Sequence, residues 1–421
     1  MLLKLSGLLF ITGILCSNAA ITQTRDTLSL TLPELEKRFL ENNLQLLAQR
    51  YNIDKAVAGE MTARLFANPV FSFNNGLYSK VRDTNALSQQ TYGISQLIQT
   101  AGKRNKNIQL ARINTANAWH EFFDLLRTLK YSLRNTFYTL YFRQQAVKLY
   151  DEEIRSLQKT VAAFQLIFQK GNIAEKEILR IQSLLYSLQS EQTEVQLQIN
   201  DLQAELRTFI RLDSRLHIQS QMAAIPYVKT APDQIPYLRL LDSAHANRHD
   251  LKIAIGNLDY AGINLKLQKA MNYPDLTVSL NYDKKAGYGL GYVAGGVSMG
   301  LPLFNRNQGS IRMARVQLEQ NRVQLQDELN RLDNELAGGY QDALKLNTLY
   351  HSIDPVFQAN FTRIIRGAYD NFEKRNISLL EFLDLYASYK THILQMNNLL
   401  LQRINALEKL NFITGTEFFN P

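Results

Sequence analysis

FQKGNIAEKEILRIQ (residues 168–182) and FEKRNISLLEFLDLY (residues 372–386) are the same phrase written twice, almost half a chain apart. In both, Phe is followed by Lys at the second position and by Asn-Ile at the fourth and fifth. Glu then stands four residues after the Ile and Leu two after that. Lys170-Gly171-Asn172 reads as a helix break, because Gly and Asn tolerate a left-handed turn. Lys374-Arg375-Asn376 stands at the equivalent place in the second copy.

What flanks each break is helical. Stepping by seven from Trp119 gives Leu126, Leu133, Leu140, Val147, Ile154, Val161 and Phe168, all apolar. The interleaved series Phe122, Leu129, Thr136, Arg143, Tyr150, Leu157, Phe164 is mostly apolar, so a heptad pattern runs through this region. A second run follows the break: Ile181, Leu188, Val195, Leu202, Phe209. The second half repeats the arrangement more loosely, with Leu329, Leu336, Ala343, Tyr350, Phe357 and Ile364 before its break, and Tyr386, Ile393, Leu400 and Leu407 after it. A helix from Lys103 to Phe168 spans roughly 100 Å at 1.5 Å per residue. Each copy of the phrase is therefore read as the tip of a long helical hairpin.

Each half also opens with a helical stretch, LTLPELEKRFLENNLQLLAQRYNIDKA or YLRLLDSAHANRHDLKIAIGNLDYA, and then reaches a proline, Pro69 or Pro274. Beyond Pro274, Leu276, Val278, Leu280 and Tyr282 alternate with Thr277, Ser279 and Asn281, the period of a half-exposed strand. Phe71 and Phe73 alternate with Ser72 and Asn74 in the first half. Turns around Lys80–Asn85 and Asp283–Gly287 lead to return strands at Thr91–Ile98 and Tyr288–Leu301, giving four strands in all. The expected division is a signal peptide, 1–19; a first repeat, 20–212, with a β-hairpin at 69–98 and a helical hairpin at 103–212 whose tip lies near 170–177; a linker, 213–236; and a second repeat, 237–421, with a β-hairpin at 275–301 and a helical hairpin at 307–412 whose tip lies near 374–381.

Bulk composition agrees with a helical, exported protein. The 421 residues are 45% hydrophobic and 20% charged, with only 9 Pro. MLLKLSGLLFITGILCSNAA has an early Lys4, an apolar run from Leu8 to Leu15 and a small-x-small site at Ser17-Asn18-Ala19, the form of a secretory signal. The run is too short to span a bilayer core of about 30 Å. Cys16 is the only cysteine, and Leu15 before it is large where lipoprotein signals use Gly or Ala. The mature chain then has no disulfide or thiol chemistry, and the net charge of +9 has no access to nucleic acid. Four strands with one apolar face leave unpaired edge groups at several kcal/mol each in lipid, so copies must combine to close a barrel. Three copies would give twelve strands, an even number.

The mature chain resembles the TolC-like outer-membrane efflux family. The duplicated tips carry the likeness, together with PLFNRNQGSIRMAR entering the third long helix and the ENN and ANRHDLK phrases. The resemblance implies a mainly α protein with a small β part: a homotrimer with a twelve-strand outer-membrane barrel, a periplasmic α-helical barrel and an equatorial domain. It implies the passive exit duct of a tripartite efflux pump, partnered by a periplasmic membrane-fusion adaptor and an inner-membrane pump of resistance–nodulation–division type, the shorter relatives often serving heavy-metal efflux. It places the periplasmic aperture at the second tip, with Glu381 and Asp384 as the lining acids and Phe372, Lys374 and Arg375 as gating or tip residues. Phe372 lacks the hydroxyl of the family's Tyr, and Arg375 occupies the Gly position itself.

The residues support an acidic aperture independently. Glu381 and Asp384 share a helix face at i,i+3, just after a break where the helix dipole favours carboxylates. Threefold repetition makes two stacked carboxylate rings, which select cations; the plain alternative is a solvated helix start. The first tip keeps Glu177 but has Arg180 in place of the second acid. Arg180 is expected to pair with an acidic neighbour such as Glu177, and Phe168, Lys170, Glu177 and Arg180 to form a packing or adaptor-docking surface.

Other features carry less. His245 and His249 at i,i+4 have metal-ligand spacing but no third ligand, so no metal or cofactor is expected. GYGLGYVAGG from Gly287 lacks the helix a nucleotide loop requires. Tyr78, Tyr92, Tyr282, Tyr288 and Tyr292 are candidates for an interfacial aromatic girdle. No catalytic constellation is present, which speaks against a secreted hydrolase. A non-conducting coiled-coil adaptor is the main rival, disfavoured by the duplicated hairpins and alternating strands.

Overall fold

Neither Pro nor Gly interrupts residues 103–169, and the computed structural model forms one 67-residue helix there, α3 (Lys103–Gln169). The structure describes residues 26–76, 90–171, 173–222, 231–286, 289–374 and 376–419. The export segment with Cys16, the turn at Lys80–Asn85, Tyr78, Asn172, much of the linker, Gly287, Tyr288 and Arg375 lie outside the described residues.

The elements follow in order β1 (Thr27–Leu30), α1 (Leu32–Asn42), α2 (Leu44–Arg64), β2 (Val70–Asn75), β3 (Gln90–Ile98), α3, α4 (Glu175–Ile210), β4 (His217–Ser220), α5 (Tyr237–Asn247), α6 (His249–Ala270), β5 (Leu276–Ala286), β6 (Gly289–Met299), α7 (Gln308–Ser352), α8 (Pro355–Glu373) and α9 (Leu379–Thr414). Four strands form one antiparallel sheet in the order β2-β3-β5-β6. Its register aligns Phe73 with Tyr92 and Tyr92 with Tyr282, and these rings stand 5.1 and 6.3 Å apart. By the two-residue period, Phe71, Phe73, Ile94, Val278, Leu280, Val293 and Val297 share one face, and Ser72, Gly93, Ser95, Ser279, Asn281 and Ser298 the other. The apolar face is bare: Phe71 is 69% exposed.

Three differences from the sequence reading have physical causes. Four strands are expected, but β1 and β4 add a parallel pair, Leu28 opposite Ile218. At four residues each they are too short to show a period. The second ascending helix is not continuous to its tip: it stops at Ser352 and restarts at Pro355. Proline disfavours helix at the residue before it, and Asp354 accepts a hydrogen bond from the Val356 amide at 2.8 Å as a new cap. The helical stretches that open each half are each broken in two, at Asn43 and at Arg248.

The Asn43 break shows how. Its side-chain oxygen caps α2 by accepting from the Gln45 and Leu46 amides, both at 3.0 Å, while its amide group donates to the Phe209 carbonyl at the end of α4. Asn43→Ala removes a cap and leaves the Phe209 carbonyl short of a partner. It is expected to destabilise the protein by about 2 kcal/mol, read as a lower denaturant midpoint at unchanged m-value. At the C-terminal end of α9, Gly339 on α7 lets these two helices approach: a Cβ there would meet Ile413 at 3.0 Å.

The cores lie between helices. One joins α1, the middle of α3, the end of α4 and the β1–β4 pair around Phe39, Leu133, Phe137 and Leu140. A second fills the tip half, around Leu157, Ile181, Phe372 and Phe382. A third packs α5, α7 and α9 around Leu240, Leu336, Leu407 and Leu410. The heptad series therefore holds through its middle, while at its ends Trp119 and Phe168 are 47% and 41% exposed.

Candidate functional site at the hairpin tips

The first tip turns where the Lys-Gly pair requires it. Gly171 adopts φ +75°, a conformation that side chains resist, and its amide bonds the Phe168 carbonyl at 2.8 Å. Glu175 and Glu177 then occupy the first turn of α4. At the second tip, the Asn376 amide closes on the Asn371 carbonyl at 2.8 Å, and Ser378 caps α9 by accepting from the Glu381 amide at 3.2 Å.

Glu381 and Asp384 are both exposed, whereas Phe382 and Tyr386 between and beyond them are buried. The two carboxylates thus share the outer face of α9 and the aromatics its inner face. Phe372 does not stand free as an aperture residue. It is 8% exposed and stacks on Phe382 at 4.4 Å, with Phe164 of α3 on its other side at 5.6 Å. Lacking a hydroxyl, it is used as a core ring. Lys374, Lys170 and Arg180 are exposed. Among the described residues no ion pair joins Arg180 to Glu177; Glu177 instead edges a groove of about 520 Å³ with Lys159, Ile167, Ile173 and Leu379.

Further along the hairpins lies a polar cluster missed in the sequence. Glu191 of α4 accepts from Tyr150 of α3 at 3.0 Å and from Lys390 of α9 at 2.8 Å. Glu153 of α3 sits beside it, 4% exposed, next to Tyr386. Burial pushes its carboxyl up to about 7, against the pull of Tyr386 and Lys390. A signal existed: Glu153 lies between Tyr150 and Leu157 on the apolar stripe, where a charge is out of place.

No family model matches the chain. It is 23% identical over 353 residues to the cobalt-zinc-cadmium resistance protein CzcC of Cupriavidus metallidurans, spanning 82% of this chain and 80% of that one. The Campylobacter jejuni CmeC outer membrane channel superposes with a TM-score of 0.76 at 15% identity, covering 92% of this chain and 86% of that one. CusC superposes at 0.72 and 16% identity, covering 91% and 92%. The chain has the fold of the TolC-like outer-membrane channels.

In this chain an ionic knot ties α1, α3, α9 and the C-terminal tail together. Arg134 of α3 bonds Glu36 of α1, Glu408 of α9 at 3.0 Å and Glu417 of the tail at 2.9 Å, and Lys130 also reaches Glu417 at 2.6 Å. Arg248, at the break between α5 and α6, bonds Asp250 and reaches Glu335 of α7 at 2.8 Å. That break separates the two histidines expected to share a helix face. His245 ends in α5 and bonds Asp333 at 2.7 Å, while His249 opens α6 and meets His120 of α3. The TolC-like fold holds no group of three metal-ligating side chains among the described residues.

Proposed function

We propose that the chain is one subunit of a passive exit duct in the outer membrane, extending into the periplasm and serving a tripartite efflux pump. The observation that carries this reading is the open four-stranded sheet with a bare apolar face. In lipid its outer edges, β2 and β6, would leave peptide groups unpaired at several kcal/mol each, and pairing β6 of one copy with β2 of the next removes that cost. Three copies close a twelve-strand barrel, apolar side to lipid, continued by a helical barrel of six hairpins. Its partners in this reading are a periplasmic membrane-fusion adaptor at the tips and an inner-membrane pump of resistance–nodulation–division type, which the likeness to outer-membrane channels supports. The likeness to a cobalt-zinc-cadmium resistance protein favours metal cations over drugs as cargo. The chain acts as a conduit, without catalysis of its own.

Detergent-purified protein is expected to have the mass of three chains and to conduct ions in a planar bilayer. A monomer without conductance would favour a non-conducting periplasmic adaptor and overturn the duct. Glu381 and Asp384, three residues apart on the exposed face of α9, form two carboxylate rings at the periplasmic aperture. Phe372, through its stack on Phe382, holds the end of α8 against α9, and Lys374 and Arg375 that follow in sequence are the tip residues of this reading. The first tip, with Phe168, Lys170, Glu177 and Arg180, is the packing or adaptor-docking surface. Glu381→Ala with Asp384→Ala is expected to weaken both cation selectivity and block by divalent cations in single-channel recordings. Unchanged selectivity and block would sink the ring.

A further inference from the structure

His120 and His249 come from different repeats, more than a hundred residues apart, and their Nδ1 atoms lie 3.1 Å apart across the seam between α3 and α6. The rings stand 5.3 Å apart, tilted by 38°. Both are only partly buried, so the seam is open to solvent at this point. Phe123 stacks on His249 at 5.1 Å, and Trp119, the only tryptophan, stacks on Phe123 at 6.2 Å.

We propose that His120 and His249 form a two-imidazole site for a divalent transition-metal cation, clamping α3 of the first repeat to α6 of the second. The distance fits. Two imidazole nitrogens bound to one such ion at about 2.0–2.1 Å stand about 3.3 Å apart at a tetrahedral angle and about 2.9 Å apart at a right angle. The observed separation lies between them. Without metal, one Nδ1–H donates to the other Nδ1; binding needs only that this proton move to Nε2 of its own ring, so no proton is lost overall. Burial, helped by Lys252, holds both imidazoles below their ordinary titration range. Asp124 offsets part of the charge of Lys252 and Arg127 beside His249. No third imidazole, thiolate or carboxylate joins them among the described residues, so water completes the shell. Imidazole donors suit copper, nickel, cobalt and zinc, and not magnesium or calcium.

Trp119 reports on the site. The purified full chain is titrated with Cu²⁺ at pH 7.5 and tryptophan emission is read. Saturable quenching at one ion per chain, reversed by excess Zn²⁺ and indifferent to Mg²⁺, is expected. His120→Gln and His249→Gln should each weaken binding about tenfold or more, since losing even a supporting partner of a metal ligand has that effect. His245→Gln should bind as the unaltered chain does. Electron paramagnetic resonance of the Cu²⁺ complex of the unaltered chain gives a reading that needs no variant to fold, and should show two imidazole nitrogens. Quenching that never saturates, affinity unchanged in both variants, or a spectrum with fewer than two imidazole nitrogens would each overturn the site.

Discussion

Replacing Arg134 by methionine is expected to destabilise the subunit by about 3–5 kcal/mol. Among the described residues, Arg134 is the single cation that meets both Glu36 and the deeply buried Glu408, the latter 2% exposed. Burial already raises the Glu408 carboxyl, and the Arg134 charge is what opposes that rise. Without the guanidinium, a carboxylate is left in the core with no counter-charge, which is far worse than having no pair at all. Arg134→Met with Glu408→Gln should therefore recover most of the loss. The measurement is chemical denaturation of the two single variants and the double variant as a cycle. A single-variant loss under about 1 kcal/mol would show that the knot does not hold α1, α3 and α9 together. Lys130 keeps its bond to Glu417 in the variant, so the tail is expected to stay docked while α1 loosens from α3.

Glu153→Gln is expected to do the opposite, and only in one pH range. The folded chain holds a proton on Glu153 up to about pH 7, whereas the same group releases it near 4.5 when unfolded. Its contribution is thus fully present below about pH 4.5 and is lost as pH rises through about 7. Glutamine keeps the neutral shape at every pH. The variant should match the parent at pH 4.5 and exceed it by up to about 3 kcal/mol at pH 8. Burial sets the sign: Tyr386 and Lys390 on α9 oppose the rise, while Glu191 on α4 and Glu152 on α3 add to it. Thermal unfolding of both proteins across that range is the check, and a difference that does not grow with pH would refute the buried neutral carboxyl.

The tips were legible in outline and not in detail. Glu381 and Asp384 fall on one exposed face because i,i+3 spacing is a property of any helix, and Ser378 caps that helix as its residue type favours. The role of Phe372 was not legible. Its partners Phe164 and Phe382 come from two other helices, so only packing could make it a core ring. The loss of the expected Arg180–Glu177 pair has the same cause, since Glu177 turns to the groove edge beside residues of α3 and α9. Asp354-Pro355, by contrast, carried a local break that the looser heptads of the second half obscured.

Sequence alone determined the features whose physics is local. These are the long Gly- and Pro-free helices, the duplicated breaks at their ends, and the two-residue period that gives the sheet one apolar and one polar face. Each depends on residues within a few positions of one another. Tertiary structure alone decided which distant groups meet. Arg134 finds Glu408 across 274 residues, Lys390 finds Glu191 across 199, and His120 finds His249 across 129, where the expected partner was four residues away. Periodicity fixes which face of a helix is buried. It says nothing about the axial register between helices, and that register chooses the charge each buried carboxylate or imidazole will face.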